Sequence, residues 1–132
     1  MSDTEFNRLA NVSYVSLTTF RRTGKAVSTP VWVVPFDGGI GVITAENTGK
    51  IKRLRHTSRV LIADSNQRGG LLSEAISASA IICDPKQVDL LSKEISKKYG
   101  WQARLISLLE ALARFVRRGA REESVGIIIR PE

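Results

Sequence analysis

Between residues 12 and 45 the chain repeats one device: a run of β-branched and aromatic residues, a tight polar turn, then another such run. Val12 to Phe20 alternates in polarity and reads as a strand, because side chains two apart share a face of a pleated sheet. Arg21-Arg22-Thr23-Gly24-Lys25 reads as a hairpin turn, and Ala26 to Phe36 as a second, long strand interrupted by Pro30. A proline removes one ladder donor, which places it at an edge or a bulge. Asp37-Gly38-Gly39 is a strong hairpin signal and returns the chain into a strand from Ile40 to Ala45. Strands that follow one another through tight turns pair antiparallel and close most economically into a small barrel, which leaves few edges exposed.

The remaining segments extend this pattern. Asp3 to Ala10 reads as a short helix, and Arg59 to Asp64, Glu74 to Cys83 and Ser124 to Arg130 read as further strands. Asp84-Pro85 supplies a cap and a first-turn proline for a helix running to Tyr99, where Gly100 breaks it. A last helix is predicted from Gln102 to Arg118. Leu105, Leu108, Leu109, Leu112, Phe115 and Val116 form its apolar side, while Arg104, Arg114, Arg117, Arg118 and, just beyond, Arg121 are basic. The expectation is a single domain over residues 1–132, mainly β. It is a small barrel of about six antiparallel strands with a short N-terminal helix, a basic helix after Ala45 and two late helices.

Composition narrows the function. Twenty basic against 13 acidic residues give a formal charge of +7 and a pI near 10.1, so the partners to expect are anions. Aromatic residues make up only 6%, too few for a surface that stacks single-stranded bases, and nucleic acid is not expected as a partner. Cys83 is the sole cysteine and ends an apolar run, which suits a buried structural thiol and excludes an intrachain disulfide. His56 is the sole histidine; multi-histidine metal sites are excluded, and its place after Arg55 suits a helix C-terminus. The N-terminal residues lack a signal-peptide layout and no apolar run reaches membrane-spanning length, so the expected location is cytoplasmic.

The residues most suggestive of a site are Thr44-Ala45-Glu46-Asn47-Thr48-Gly49-Lys50-Ile51-Lys52-Arg53-Leu54-Arg55. A strand passes here through capping residues into a basic helix. Helix N-termini carry partial positive charge and unpaired N–H groups, so Lys50 and Lys52 in a first turn oppose the dipole. An anion held by the backbone, the Thr48 hydroxyl and the Lys50 ammonium resolves that conflict; lysines pointing into water resolve it equally well. Gly49 admits an anion close to the backbone, and Arg53 follows Lys50 at i+3 on the same face. Lys52 and Arg55 lie further round and read as solvated.

These segments carry a resemblance. Ser16 to Phe20, Gly24 to Val33 with Thr29-Pro30-Val31-Trp32 at its centre, Asp37-Gly38-Gly39 and Thr44 to Leu54 resemble the flavin- and deazaflavin-binding split barrels, the superfamily of pyridoxamine 5′-phosphate oxidase. They look most like the actinobacterial branch that uses coenzyme F420, and Lys97 to Leu105 is similar to one subgroup of it. The resemblance implies that the backbone of Thr29, Pro30, Val31 and Trp32 runs along the cofactor ring. It further implies that Thr44, Ala45, Thr48, Gly49, Lys50 and Arg53 hold the cofactor phosphate. Taken alone, Pro30 reads as an edge marker and Trp32 as core. The vitamin oxidases carry Arg where this chain has Gly49 and extend further at the C-terminus, so vitamin oxidation is not the implied reaction.

The implied function is an oxidoreductase moving a hydride between coenzyme F420 and a small organic substrate, with flavin mononucleotide as the alternative cofactor. A non-catalytic cofactor carrier stays open, and a basic nucleic-acid-binding barrel fits less well. No metal is expected. Tyr14, Tyr99 and Asp64 are candidate proton donors, the late arginines are candidates for the cofactor tail, and the catalytic residues stay unassigned. The resemblance, together with the two-sided apolar run Ala75 to Ile82, implies a homodimer.

Overall fold

The computed structural model describes residues 3–45, 49–100 and 124–132. In chain order its elements are α1 (Asp3–Leu9), β1 (Tyr14–Phe20), β2 (Ala26–Val31), β3 (Val34–Phe36), β4 (Gly39–Ala45), α2 (Gly49–His56), β5 (Arg59–Ser65), β6 (Ile76–Ile82), α3 (Pro85–Tyr99) and β7 (Ser124–Pro131). The expected late helix with its arginines, Thr48, and Arg121 lie outside the described residues.

All strand pairs are antiparallel, and the sheet order is β2-β1-β5-β6-β7-β4-β3. Although β2 and β3 follow one another in the chain, they form opposite edges of the sheet. The sheet curls into a half-barrel, and Trp32-Val33 passes from one edge to the other. The sequence expectation of one strand from Ala26 to Phe36 is therefore corrected: it is two strands, and about six becomes seven. The cause is a set of side-chain bonds from the end of α3. The Tyr99 hydroxyl accepts the Val33 N–H at 2.9 Å and lies 2.8 Å from the Ser13 carbonyl, to which it donates. The Lys98 ammonium donates to the carbonyls of Val33 and Val12, both at 2.6 Å. A backbone bonded in this way has left the ladder, and the Trp32 ring stacks on Tyr99 with centroids 4.2 Å apart.

Local chemistry explains the other elements. The turn between β3 and β4 is Asp37-Gly38, with φ of 50° and 75°, the pair of positive values that a two-residue hairpin of matching twist needs. Asp37 is held there by Arg130 of β7 at 2.9 Å. Pro30 stands on the edge strand β2, opposite Ser16, where its missing N–H leaves the sheet intact. A capping box opens α3: the Asp84 carboxylate accepts from Lys86 and Gln87, and the Gln87 side chain accepts from the Asp84 N–H.

The barrel interior is filled by Val15, Leu17, Ile40, Val42, Val60, Ile62, Ala78, Ala80, Ile127 and Ile129. Phe6 and Leu9 of α1, and Ile51 and Leu54 of α2, add to the same core. A smaller cluster of Val34, Leu91, Ile95 and Tyr99 lies beneath α3, with Trp32, Phe36 and Ile43 against it. The helix approaches β4 and β7 closely because Gly41 and Gly126 offer no side chain; a Cβ on Gly126 would run into the Cys83 sulfur. Cys83 is buried, and burial pushes its thiol pKa up, as suits a structural thiol.

Tyr99→Phe keeps the stacked ring but strands the buried Val33 N–H. Denaturant unfolding should show a loss of about 1–3 kcal/mol, the cost of an unsatisfied buried donor. Burial also pushes the Tyr99 hydroxyl up to about 12, against about 10 in an unfolded chain. Because the folded value is the raised one, this contribution is complete below the unfolded pKa and fades towards the folded one. The wild-type advantage over Tyr99→Phe should therefore shrink between these two values; an advantage that grows with pH in that range would contradict the buried hydroxyl.

Candidate functional site

The first turn of α2 contains no acidic residue. It concentrates positive charge where the helix dipole is already positive. Lys50 is half-buried, and burial, with the charge of Arg53 added, lowers its pKa below the ordinary value. Arg53 is shifted down in turn, by burial first and then by the charge of Arg21. Its guanidinium folds back over Gly49, where a Cβ would meet Nη1 at 2.5 Å, and its Nε donates to the buried Thr19 hydroxyl. Among the described residues the ion pairs lie elsewhere: Arg8 with Glu5 and Asp64, Lys97 with Glu94, and Arg130 with Asp37. Arg53 thus stands between two like charges, Lys50 and Arg21, with no ion-pair partner among the described residues, an arrangement that an anion would relieve.

An open cleft of about 560 Å³ runs beside this turn, lined by Arg21, Arg22, Gly49, Lys52, Arg53, Arg55 and His56. Two of its contributors come from the turn between β1 and β2. That turn is closed by bonds from Arg21 N to Lys25 O at 2.9 Å and from Gly24 N to Arg21 O at 2.8 Å. Across the ladder, Thr29 lies opposite Leu17 and Val27 opposite Thr19, so Thr29 and Thr19 share one face of the β1–β2 pair. The Thr29 hydroxyl is buried without a hydrogen-bond partner. A buried polar group in that condition is costly and is a natural place for a ligand atom to bond.

The structure therefore gathers Gly49, Lys50 and Arg53 at the start of α2 and connects them, through Thr19, to the strand face that carries Thr29. Thr44 and Ala45 end β4, opposite Val125 and Ser124, just before the chain leads into α2. The rest of the Thr29 to Trp32 set is divided. Val31 is buried in the barrel core, Pro30 is exposed with Gly69 beside it, and Trp32 is engaged with Tyr99 beneath α3. The Val31 and Trp32 side chains are thus committed to packing, which leaves the β2 backbone and Thr29 as what this strand could offer a ligand. Of the candidate proton donors, Tyr99 is locked into backbone bonds, Asp64 is paired with Arg8 at 3.2 Å, and Tyr14 begins β1 opposite Ser65. No group of three His, Cys, Asp or Glu among the described residues is placed to hold a metal, and none of their helices is long and apolar enough to cross a membrane.

Sequence reasoning passed over Arg21 and Arg22, which it took as turn residues; its reading of Lys52 and Arg55 as solvated agrees with their exposure, although both also line the cleft. The signal was present in two adjacent arginines in a tight turn. Only the packing of α2 beside β1 turns them into a wall of the same cleft as Arg53.

No protein-family model matches the sequence, and no curated protein does. Solved structures do match. The heme storage protein HutZ of Vibrio cholerae superposes with a TM-score of 0.64 at 14% identity, over 98% of this chain and 89% of its own. A conserved hypothetical protein of Mycobacterium tuberculosis gives 0.62 at 18% identity, over 96% and 78%. A proposed pyridoxamine 5′-phosphate oxidase of Corynebacterium glutamicum gives 0.50 at 19% identity, over 100% and 84%. The fold is that of the pyridoxamine 5′-phosphate oxidase-like split barrels.

Gly49→Ala tests whether the bare first residue of α2 serves a ligand. Gly49 opens the helix, where alanine gains little, so the free protein should melt near the wild-type temperature or slightly earlier as Arg53 loosens its bond to Thr19. The new Cβ displaces the Arg53 guanidinium, so phosphate affinity in a calorimetric titration should fall further than stability does. Unchanged phosphate affinity would show that the close approach over Gly49 has no bearing on anions.

Proposed function

We propose that this split barrel binds a phosphate-bearing hydride carrier of the flavin type, coenzyme F420 before flavin mononucleotide, and acts as an oxidoreductase on a small organic substrate. The observation that carries this reading is the cluster of Gly49, Lys50 and Arg53 at the start of α2, positive, partly desolvated and with no acidic residue in the helix's first turn, on a barrel of this fold. Lys50 and Arg53 would hold the phosphate, Gly49 would let it reach the backbone N–H groups, and the orphaned Thr29 hydroxyl would bond an acceptor or donor of the ring system. The resemblance of Thr29-Pro30-Val31-Trp32 and Thr48-Gly49-Lys50 to the F420 branch, with the +7 charge, favours the deazaflavin.

A reduced deazaflavin supplies the hydride itself, so the protein's own residues need only bind, orient and exclude water. Lys50 and Arg53 fix one end of the cofactor, and the β2 backbone with Thr29 fixes the other. Since HutZ, of the same fold, is a heme storage protein, binding without turnover is the second reading.

A homodimer completes the proposal. Along β6, Ala78 and Ala80 are buried, but Ile81 and Ile82 are 50% and 37% exposed, so an apolar part of this strand stays open in the single chain. A two-fold partner would cover it. Light scattering at micromolar concentration should give twice the chain mass; a monomer that persists with saturating cofactor would overturn the dimer.

Calorimetric titration with coenzyme F420, flavin mononucleotide and haemin tests the cofactor. The deazaflavin should bind most tightly; tighter flavin mononucleotide would move the chain to the flavin branch, and tighter haemin would sink the phosphate reading. Lys50→Ala should cost about 1.5–3 kcal/mol of cofactor binding, as for a charge-assisted hydrogen bond, with the free protein as stable as before or more so. Unchanged affinity with earlier melting would make Lys50 structural.

A further inference from the structure

We propose that Thr19 of β1 is a positioning residue for an anion at the start of α2. Its hydroxyl takes the Nε–H of Arg53 and so turns the two Nη groups of the guanidinium towards Gly49, as a fork for two oxygens. The inference deepens the phosphate reading of that site and rests on it.

The geometry comes from two elements. Arg53 follows Gly49 at i+4 in α2, so the two share a face, and a long side chain there leans towards the start of its own helix. Thr19 lies on β1, against which α2 packs, and is 1% exposed. A guanidinium offers two bidentate edges, one through Nε and one Nη, the other through both Nη groups. Thr19 occupies the first edge by accepting the Nε–H. The second lies over the helix start: a Cβ on Gly49 would meet Nη1 at 2.5 Å and Nη2 at 3.4 Å.

The chemistry of the acceptor defines the role. A carboxylate at position 19 would fix the arginine equally well, but it would neutralise the charge and compete with an incoming anion. A hydroxyl orients the guanidinium and leaves its charge uncompensated. Arg53 accordingly takes part in none of the ion pairs of the described residues. The anchor is also stiff, because threonine is β-branched and β1 is paired on both sides, with β2 and β5. Rotamer freedom of the long side chain is therefore lost on folding and need not be lost again on binding. Attachment of α2 does not need this bond, since Ile51 and Leu54 already hold the helix in the core.

The test uses the whole chain, with orthophosphate as the probe in a calorimetric titration. Thr19→Val keeps the shape and removes the acceptor; it should weaken orthophosphate roughly tenfold, within the range of coupling between residues in contact, while Thr19→Ser stays within about twofold of wild type. Arg53→Lys keeps the charge without the fork and should lose about as much as Thr19→Val, and the two together should cost no more than either alone. A Thr19→Val loss that is equally large in the Arg53→Lys background, or no loss at all, would overturn the positioning role. The free protein gives a second readout by nuclear magnetic resonance: the Arg53 Nε–H should exchange slowly in wild type and Thr19→Ser and fast in Thr19→Val. Exchange indifferent to both substitutions would overturn the role without any ligand. Lys50→Ala separates the two proposals. If it weakens orthophosphate while Thr19→Val and Arg53→Lys do not, the phosphate reading stands and the positioning role falls. If the coupling is found with orthophosphate but neither coenzyme F420 nor flavin mononucleotide binds, the positioning role stands and the cofactor reading falls. A wild-type chain that binds no orthophosphate overturns both.

Discussion

The structure depends on the bonds that Lys98 and Tyr99 make to the crossing at Val33. A seven-stranded antiparallel sheet with β2 and β3 at its edges needs the chain to jump from one edge to the other within two residues. A jump of that kind removes backbone groups from the ladder, and buried backbone groups must find partners. Tyr99 takes the Val33 N–H, and Lys98 takes the carbonyl of Val33 and those of Ala10 and Val12. The same two side chains thereby tie α3, the segment between α1 and β1, and the barrel edge into one unit. Burial lowers the Lys98 pKa and raises that of Tyr99, the direction in which each loses charge when removed from water. Lys98 spends its three donors on carbonyls, the geometry that makes a part-buried ammonium tolerable.

How much of this was legible in the sequence follows from the range of each interaction. The Asp37-Gly38 turn, the Asp84 cap with its first-turn Pro85, and the end of α3 at Gly100 are set by residues within a few positions of one another, and all were read correctly; the Gln87 half of the capping box was not. The break at Trp32-Val33 was missed because its cause lies 66 residues away, in a hydroxyl that no local pattern announces. Val31, Val33 and Val34 are each suited to a strand, so the sequence there looks continuous. Trp32 shows the same limit from the other side. Its motif suggested a ligand, and its residue type suggested core; the ring is stacked on Tyr99.

The candidate site was legible in half. Gly49, Lys50 and Arg53 announce themselves because their charge contradicts the helix dipole, a conflict visible in one short segment. Arg21 and Arg22 announce nothing until α2 packs beside β1. The structure adds a second conflict of the same kind: burial and the charge of Arg53 lower the Lys50 pKa, and burial and the charge of Arg21 lower that of Arg53. Stability alone gives no reason to assemble such a group, since like charges in a site of reduced dielectric repel more strongly than they would in bulk water. Strain that persists without a structural return is most simply read as preparation for a ligand of opposite sign.

A shared fold leaves function to the site, and split barrels of this shape include a heme storage protein and a proposed vitamin oxidase. The distinction for this chain comes from what α2 presents. Heme requires broad apolar faces around its ring, and the α2 cleft is lined by five Arg and Lys side chains with Gly49 and His56. A phosphorylated cofactor requires two unlike surfaces, one ionic and one that bonds a ring edge from the backbone. Thr19 joins those two requirements here. It sits on the same strand face as the unpartnered Thr29 hydroxyl and accepts a bond from Arg53. A single bond thus couples the start of α2 to the strand face that carries Thr29.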